Sequence, residues 1–113
     1  MALYKERKLE NGIITKYHRI VSLNKITNQN NIIEIASYID KQQREKEKVY
    51  QKVQIKKMKD EEITDEEKDL LEKGIDIFID TNYMSKDYDE QENIEECYDF
   101  LKTTEEFKGA ENA

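Results

Sequence analysis

The chain has no proline and no tryptophan, one cysteine, one histidine and three glycines in 113 residues. Each scarcity excludes something. A single thiol, Cys97, rules out an internal disulfide and a multi-cysteine metal site, and it fits a reducing compartment. One imidazole, His18, cannot build a histidine cluster around a metal. Gly12, Gly74 and Gly109 stand too far apart for a glycine-rich phosphate loop. No apolar run approaches the roughly 20 residues that a membrane span needs. The opening Met1-Ala2-Leu3-Tyr4-Lys5-Glu6-Arg7 lacks the apolar core of a secretory signal. The expected place of synthesis is therefore the bacterial cytoplasm, with no membrane partner.

What the chain does have is charge. Charged residues make up 40% and apolar residues 36%, so the apolar groups must be concentrated in short runs. Net charge is −7, from 26 acids against 19 bases, which disfavours binding to nucleic acid. The length predicts one domain with one modest core.

Two strand-like runs, 3–10 and 13–26, flank Asn11-Gly12. That dipeptide predicts a hairpin with a type I′ turn, which requires positive φ at both central residues. A third run, 31–40, follows the polar Thr27-Asn28-Gln29-Asn30 and completes an antiparallel meander. The charge density of 3–10 fits an edge strand. In 13–26 the odd positions, from Ile13 to Leu23, are the more apolar and are assigned inward, with Arg19 interrupting them. In 31–40, Ile33, Ile35 and Ile39 share the core face with Ser37, and Tyr38 lies on the opposite one. Segment 75–84, Ile-Asp-Ile-Phe-Ile-Asp-Thr-Asn-Tyr-Met, reads as the best central strand and is expected to pair with 31–40.

The helical signals come later. Thr64-Asp65-Glu66-Glu67 has the form of a capping box, and Gly74 is the natural stop. Asp89, with Glu92 three residues on, is the next expected N-cap. Ile94, Cys97, Tyr98 and Leu101 form an i, i+3, i+4, i+7 stripe that should close the core. Phe107 is expected to anchor a last turn. Segment 41–62 begins with eight residues lacking any apolar side chain and continues through Val49, Val53 and Ile55, which suit a strand or a helix. It is expected to protrude, as a hairpin arm or a helix. The predicted fold class is α+β: a small antiparallel sheet of four strands packed by a C-terminal helix, in one domain. Its parts are a meander (1–40), a charged insertion with a short helix (41–74), a strand plus helix (75–109) and a frayed tail (110–113).

No catalytic constellation emerges. His18 has no oriented acid or nucleophile beside it in sequence, and it reads as a strand side chain. Cys97 lies on an apolar stripe among Glu95, Glu96 and Asp99, which disfavour a thiolate. The acids Asp87, Asp89, Glu90 and Glu92 lack the glycine and ligand order of a calcium loop. No metal and no cofactor is expected. Seven tyrosines in so polar a chain point instead to a contact surface. The expected partner-contact residues are Tyr4, His18, Arg19 and Tyr38 on the polar side of the sheet and Tyr50 on the insertion.

The segment Leu9-Glu10-Asn11-Gly12-Ile13-Ile14-Thr15-Lys16-Tyr17-His18-Arg19-Ile20-Val21-Ser22-Leu23 resembles a small protein family of bacteriophages and prophages of Gram-positive bacteria of clostridial type. Phe78-Ile79-Asp80-Thr81-Asn82-Tyr83-Met84-Ser85-Lys86-Asp87-Tyr88-Asp89-Glu90 and Tyr98-Asp99-Phe100-Leu101-Lys102-Thr103 extend the resemblance, which leaves 41–74 as a variable insertion. The resemblance implies a non-enzymatic structural subunit of a phage tail or a phage-tail-like bacteriocin, located in the particle. It implies baseplate or tail-fibre proteins as partners, and a homo-oligomer within a symmetric assembly. The competing expectation is an acidic inhibitor of host machinery, or a tail assembly factor.

Overall fold

A computed structural model covers Met1–Ala113. It shows a five-stranded antiparallel sheet with helices on both faces, an α+β fold. Strands β1 (Leu3–Lys8), β2 (Ile14–Ile26) and β3 (Asn30–Tyr38) form the meander, and α1 (Lys41–Met58) and α2 (Asp65–Lys73) follow. Strand β4 (Ile79–Asp87), helix α3 (Ile94–Leu101) and the two-residue β5 (Glu111–Asn112) complete the chain. The order across the sheet is β4-β3-β2-β1-β5.

The β1–β2 hairpin forms as expected, but with a different turn. Only Gly12 takes a positive φ, 87°, and Asn11 does not. Gly12 N–H donates to Leu9 O at 2.9 Å and Leu9 N–H donates to Ile13 O at 2.8 Å, a three-residue loop closed by a glycine bulge. Asn11 contributes its side chain, whose Oδ1 accepts from Ile13 N–H.

A second bulge corrects the inward face of β2. Ile20 stands opposite Ile35, but the register then shifts so that Leu23 stands opposite Ile33. Val21 is the extra residue and is exposed. The shift brings Ile20 and Leu23, three apart, onto one face. That face carries the main core, formed by Leu3, Ile20, Ile33, Ile35, Cys97, Tyr98, Leu101 and Phe107. The other face carries a smaller cluster, Ala2, Tyr17, Ala36 and Tyr38. Odd and even positions of β2 are thus both buried, each on its own side.

Segment 75–84 is not a central strand. Strand β4 begins only at Ile79 and forms the outer edge, paired with β3 over its whole length; β2 occupies the middle. The tail is also corrected. Glu111 and Asn112 pair with Tyr4 and Leu3, and Ala113 N–H donates to Ala2 O, so the end of the chain closes part of the β1 edge instead of fraying.

Helix α3 lies over the main core through Cys97, Tyr98 and Leu101, while Ile94 at its start is exposed. Its N-cap is Asn93, whose side chain accepts from Glu96 N–H, and not Asp89. Phe107 is fully buried, as its anchoring role required. Segment 41–62 is resolved in favour of a helix. Asp40 caps α1 by accepting from Gln43 N–H at 3.0 Å, and the charged residues that follow are good helix formers. Helix α2 starts with the capping box complete in both directions. The radius of gyration, 16.4 Å, exceeds the roughly 13 Å typical of a compact chain this long.

Candidate interaction surface

Three polar clusters hold the helices and loops in place. The first surrounds His18. Its Nε2 lies 2.7 Å from Lys5 O, which only accepts, so Nε2 carries the proton and Nδ1 accepts from the Ser37 hydroxyl at 2.7 Å. The ring packs edge-on against Phe107 at 5.0 Å. Burial lowers the imidazole pKa from its ordinary value; the Lys5 hydrogen bond opposes this, and the Arg7 charge adds to it. A serine hydroxyl beside an unprotonated imidazole nitrogen is the pairing a nucleophile needs. Here both side chains have no solvent exposure, so no substrate reaches them.

The second cluster pins α1 to the sheet. Tyr38 Oη donates to Glu47 Oε1 at 2.6 Å and accepts from Arg19 Nε–H at 2.9 Å. Arg44 also binds Glu47, and it donates to Gln51 Oε1 at 3.2 Å. Burial raises the Tyr38 pKa, and donation to Glu47 raises it further. The third cluster orders the segment ahead of α3. Glu92 is buried, accepts from Asn31 Nδ2 at 2.9 Å and pairs with Lys86. Burial pushes its pKa up, but the Lys86 and Asn31 interactions together outweigh that and hold it below the usual carboxylate value. Beside it, burial and the Glu92 charge push the Cys97 thiol up to about 11.

The sequence-derived contact residues fall into two groups. Tyr4, Tyr17 and Tyr38 form a row of edge-to-face rings with centroids 5.8 and 6.0 Å apart. Tyr4, at its outer end, is exposed. Tyr38 and His18 are fully buried, and Arg19 is held by Tyr38 and Glu47. The expectation that these three line an open sheet surface is corrected: α1 covers Tyr38, and His18 points to the opposite face, into the main core. Tyr50 is half-buried beside Ile55, Met58 and Leu71.

An open apolar surface lies on the arm formed by α1 and α2. Helix α1 buries only Val53, and α2 buries no residue. Val49 is 55% exposed, Ile55 49% and Met58 84%, which is far from the behaviour of core residues. One groove runs along Lys41, Glu45, Val49, Leu70 and Ile75, and another along Tyr50, Ile55, Met58 and Leu71. Apart from Tyr50, the exposed groups of this surface escaped sequence reasoning. The signal was present: Leu70 and Leu71 are the only apolar residues of α2 and face a helix with no apolar stripe to receive them.

No three His, Cys, Asp or Glu side chains converge as a metal site would require. No helix is long and apolar enough to cross a membrane. Comparison with family models, curated proteins and solved structures finds no match.

Proposed function

We propose that this chain is a non-enzymatic docking subunit, and that the α1–α2 arm is its contact surface. The observation that carries this reading is the exposure of Val49, Ile55 and Met58 on a helix that Glu47 ties to the sheet. A rigidly held helix with open aliphatic groups and flanking grooves suits reception of a partner segment. The partner meets mixed charge at the rim, since Lys41, Glu45, Lys46 and Lys57 border the grooves.

The biological setting we propose rests on the sequence resemblance: a structural component of a phage tail or tail-like particle, in contact with baseplate or fibre proteins. Under this reading the docking surface moves from the tyrosine-bearing sheet to the helical arm. Quantitative mass spectrometry of purified particles from an induced producer strain tests the setting. The expected result is this chain at a fixed ratio to the tail subunits. Normal particles from which the chain is absent would overturn it.

A further inference from the structure

We propose that β4 is a self-pairing edge, and that its partner is β4 of a second copy of this chain. The inference does not depend on the reading of the arm. Strand β4 ends the sheet, and no element of the chain pairs with its outer side. Its ladder with β3 runs through nine consecutive pairs without a bulge, so the outer edge is regular along its whole length. An edge strand is normally guarded by proline, a bulge, shortness, dense charge or a covering element. The chain has no proline, and the middle of β4, Thr81-Asn82-Tyr83-Met84-Ser85, has no charge. The other edge of the sheet is treated differently. There β5 covers Leu3 and Tyr4, and the remainder, Lys5-Glu6-Arg7-Lys8, is wholly charged.

The residues of β4 are complementary to themselves when the strand is reversed about Tyr83. A two-fold axis through Tyr83, perpendicular to the sheet, overlaps all nine residues. Asp80 then faces Lys86 of the second copy at two symmetric places, Thr81 faces Ser85, Asn82 faces Met84, and Tyr83 faces Tyr83. Cross-strand pairs of opposite charge and of aromatic rings are the stabilising kinds. Asp80 has no ion pair within its own chain, whereas Lys86 bonds Glu92 and gains a second acid in the pairing. Moving the axis to Asn82 or Met84 sets Asp80 against Met84 or Tyr88 and loses both ion pairs, so charge selects the register. The outermost pair, Ile79 with Asp87, adds no complementarity. Tyr83 supports the pairing from the solvent side: it is 65% exposed, on the face that α1 leaves open beyond Tyr38. The axis keeps each face of the sheet continuous, so the α3 helices of both copies lie on one side. This is an isologous interface that closes at two copies.

The test is analytical ultracentrifugation over a concentration series, on the full chain and on Tyr83→Lys and Tyr83→Glu. Tyr83 makes no core contact, and matching circular dichroism melts would show that both variants fold. The wild type is expected to dimerise. Each variant alone sets like charges opposite at the axis and is expected to dimerise at least about ten-fold more weakly. An equimolar mixture of the two variants is expected to regain the dimer, because opposite charges then meet there. A monomeric wild type, a dimer unaffected by either substitution, or a mixture that stays monomeric would overturn the proposal.

Discussion

His18 shows most clearly how burial decides the behaviour of one residue. It is the only histidine, so the pH dependence near neutrality can be assigned to it. The unfolded chain takes up a proton near the ordinary histidine pKa of about 6.5. The folded chain holds the imidazole neutral to lower pH. Between those two values the unfolded state binds more protons, so stability rises with pH and falls on acidification. Thermal melts are expected to drop as the pH is lowered below about 6.5, and His18→Asn is expected to flatten that part of the profile. An imidazole NMR titration with an apparent pKa at or above the ordinary value would contradict this. His18→Ala should cost about 2–4 kcal/mol in denaturant unfolding, since it opens a cavity and leaves Ser37 and Lys5 O unpaired. Cys97 makes the opposite kind of prediction. A buried thiol pushed to about 11 should resist alkylation in the native state and react only on unfolding.

At the scale of elements, the parts legible in the sequence were those with a local chemical reason. The Thr64 capping box, the Cys97-Tyr98-Leu101 stripe, the buried Phe107 and the β1–β2 hairpin all follow from short spacings. What was illegible depended on distant partners. No local pattern shows that Val21 is a bulge, because the bulge exists only relative to β3. The apolar run Ile75-Asp76-Ile77-Phe78-Ile79 resembles a central strand. Yet Ile77 packs beside the Tyr38 cluster from a non-strand segment, and β4 starts after it. Helix α1 lacks an apolar stripe because its anchor is polar: Glu47 reaches Tyr38, Arg19 and Arg44. Glu47→Ala should therefore detach α1 from the sheet, leaving Arg19 and Tyr38 unpartnered at a cost of about 1–3 kcal/mol. Thr64→Ala should cost about 1 kcal/mol in α2 alone, seen as faster amide exchange there with the sheet unchanged.

For the molecule as a whole, the apolar core and the proposed contact surface lie in two different regions. The sheet and α3 hold the apolar core, while the α1–α2 arm carries the exposed Val49, Ile55 and Met58 and only one buried residue. Amide exchange should be slowest in β2 and β3 and faster throughout α2, which has few buried contacts to protect it. The candidate contact residues were half legible for the same reason. Tyrosine content pointed to a surface, but alternation along a strand does not tell which face another helix covers. The division also permits a clean experiment, because the groups proposed for docking can be changed without touching the core.

The most direct measurement is the incorporation ratio of a triple variant, Val49→Glu, Ile55→Glu and Met58→Glu, into particles assembled in a producer strain that lacks the native copy. Unfolding of the isolated variant should show a loss of no more than about 2 kcal/mol, since all three positions are solvent-facing. The predicted result is a folded chain that is missing from the particles or strongly depleted in them. Incorporation at the wild-type ratio would contradict the assignment of the arm as the docking surface.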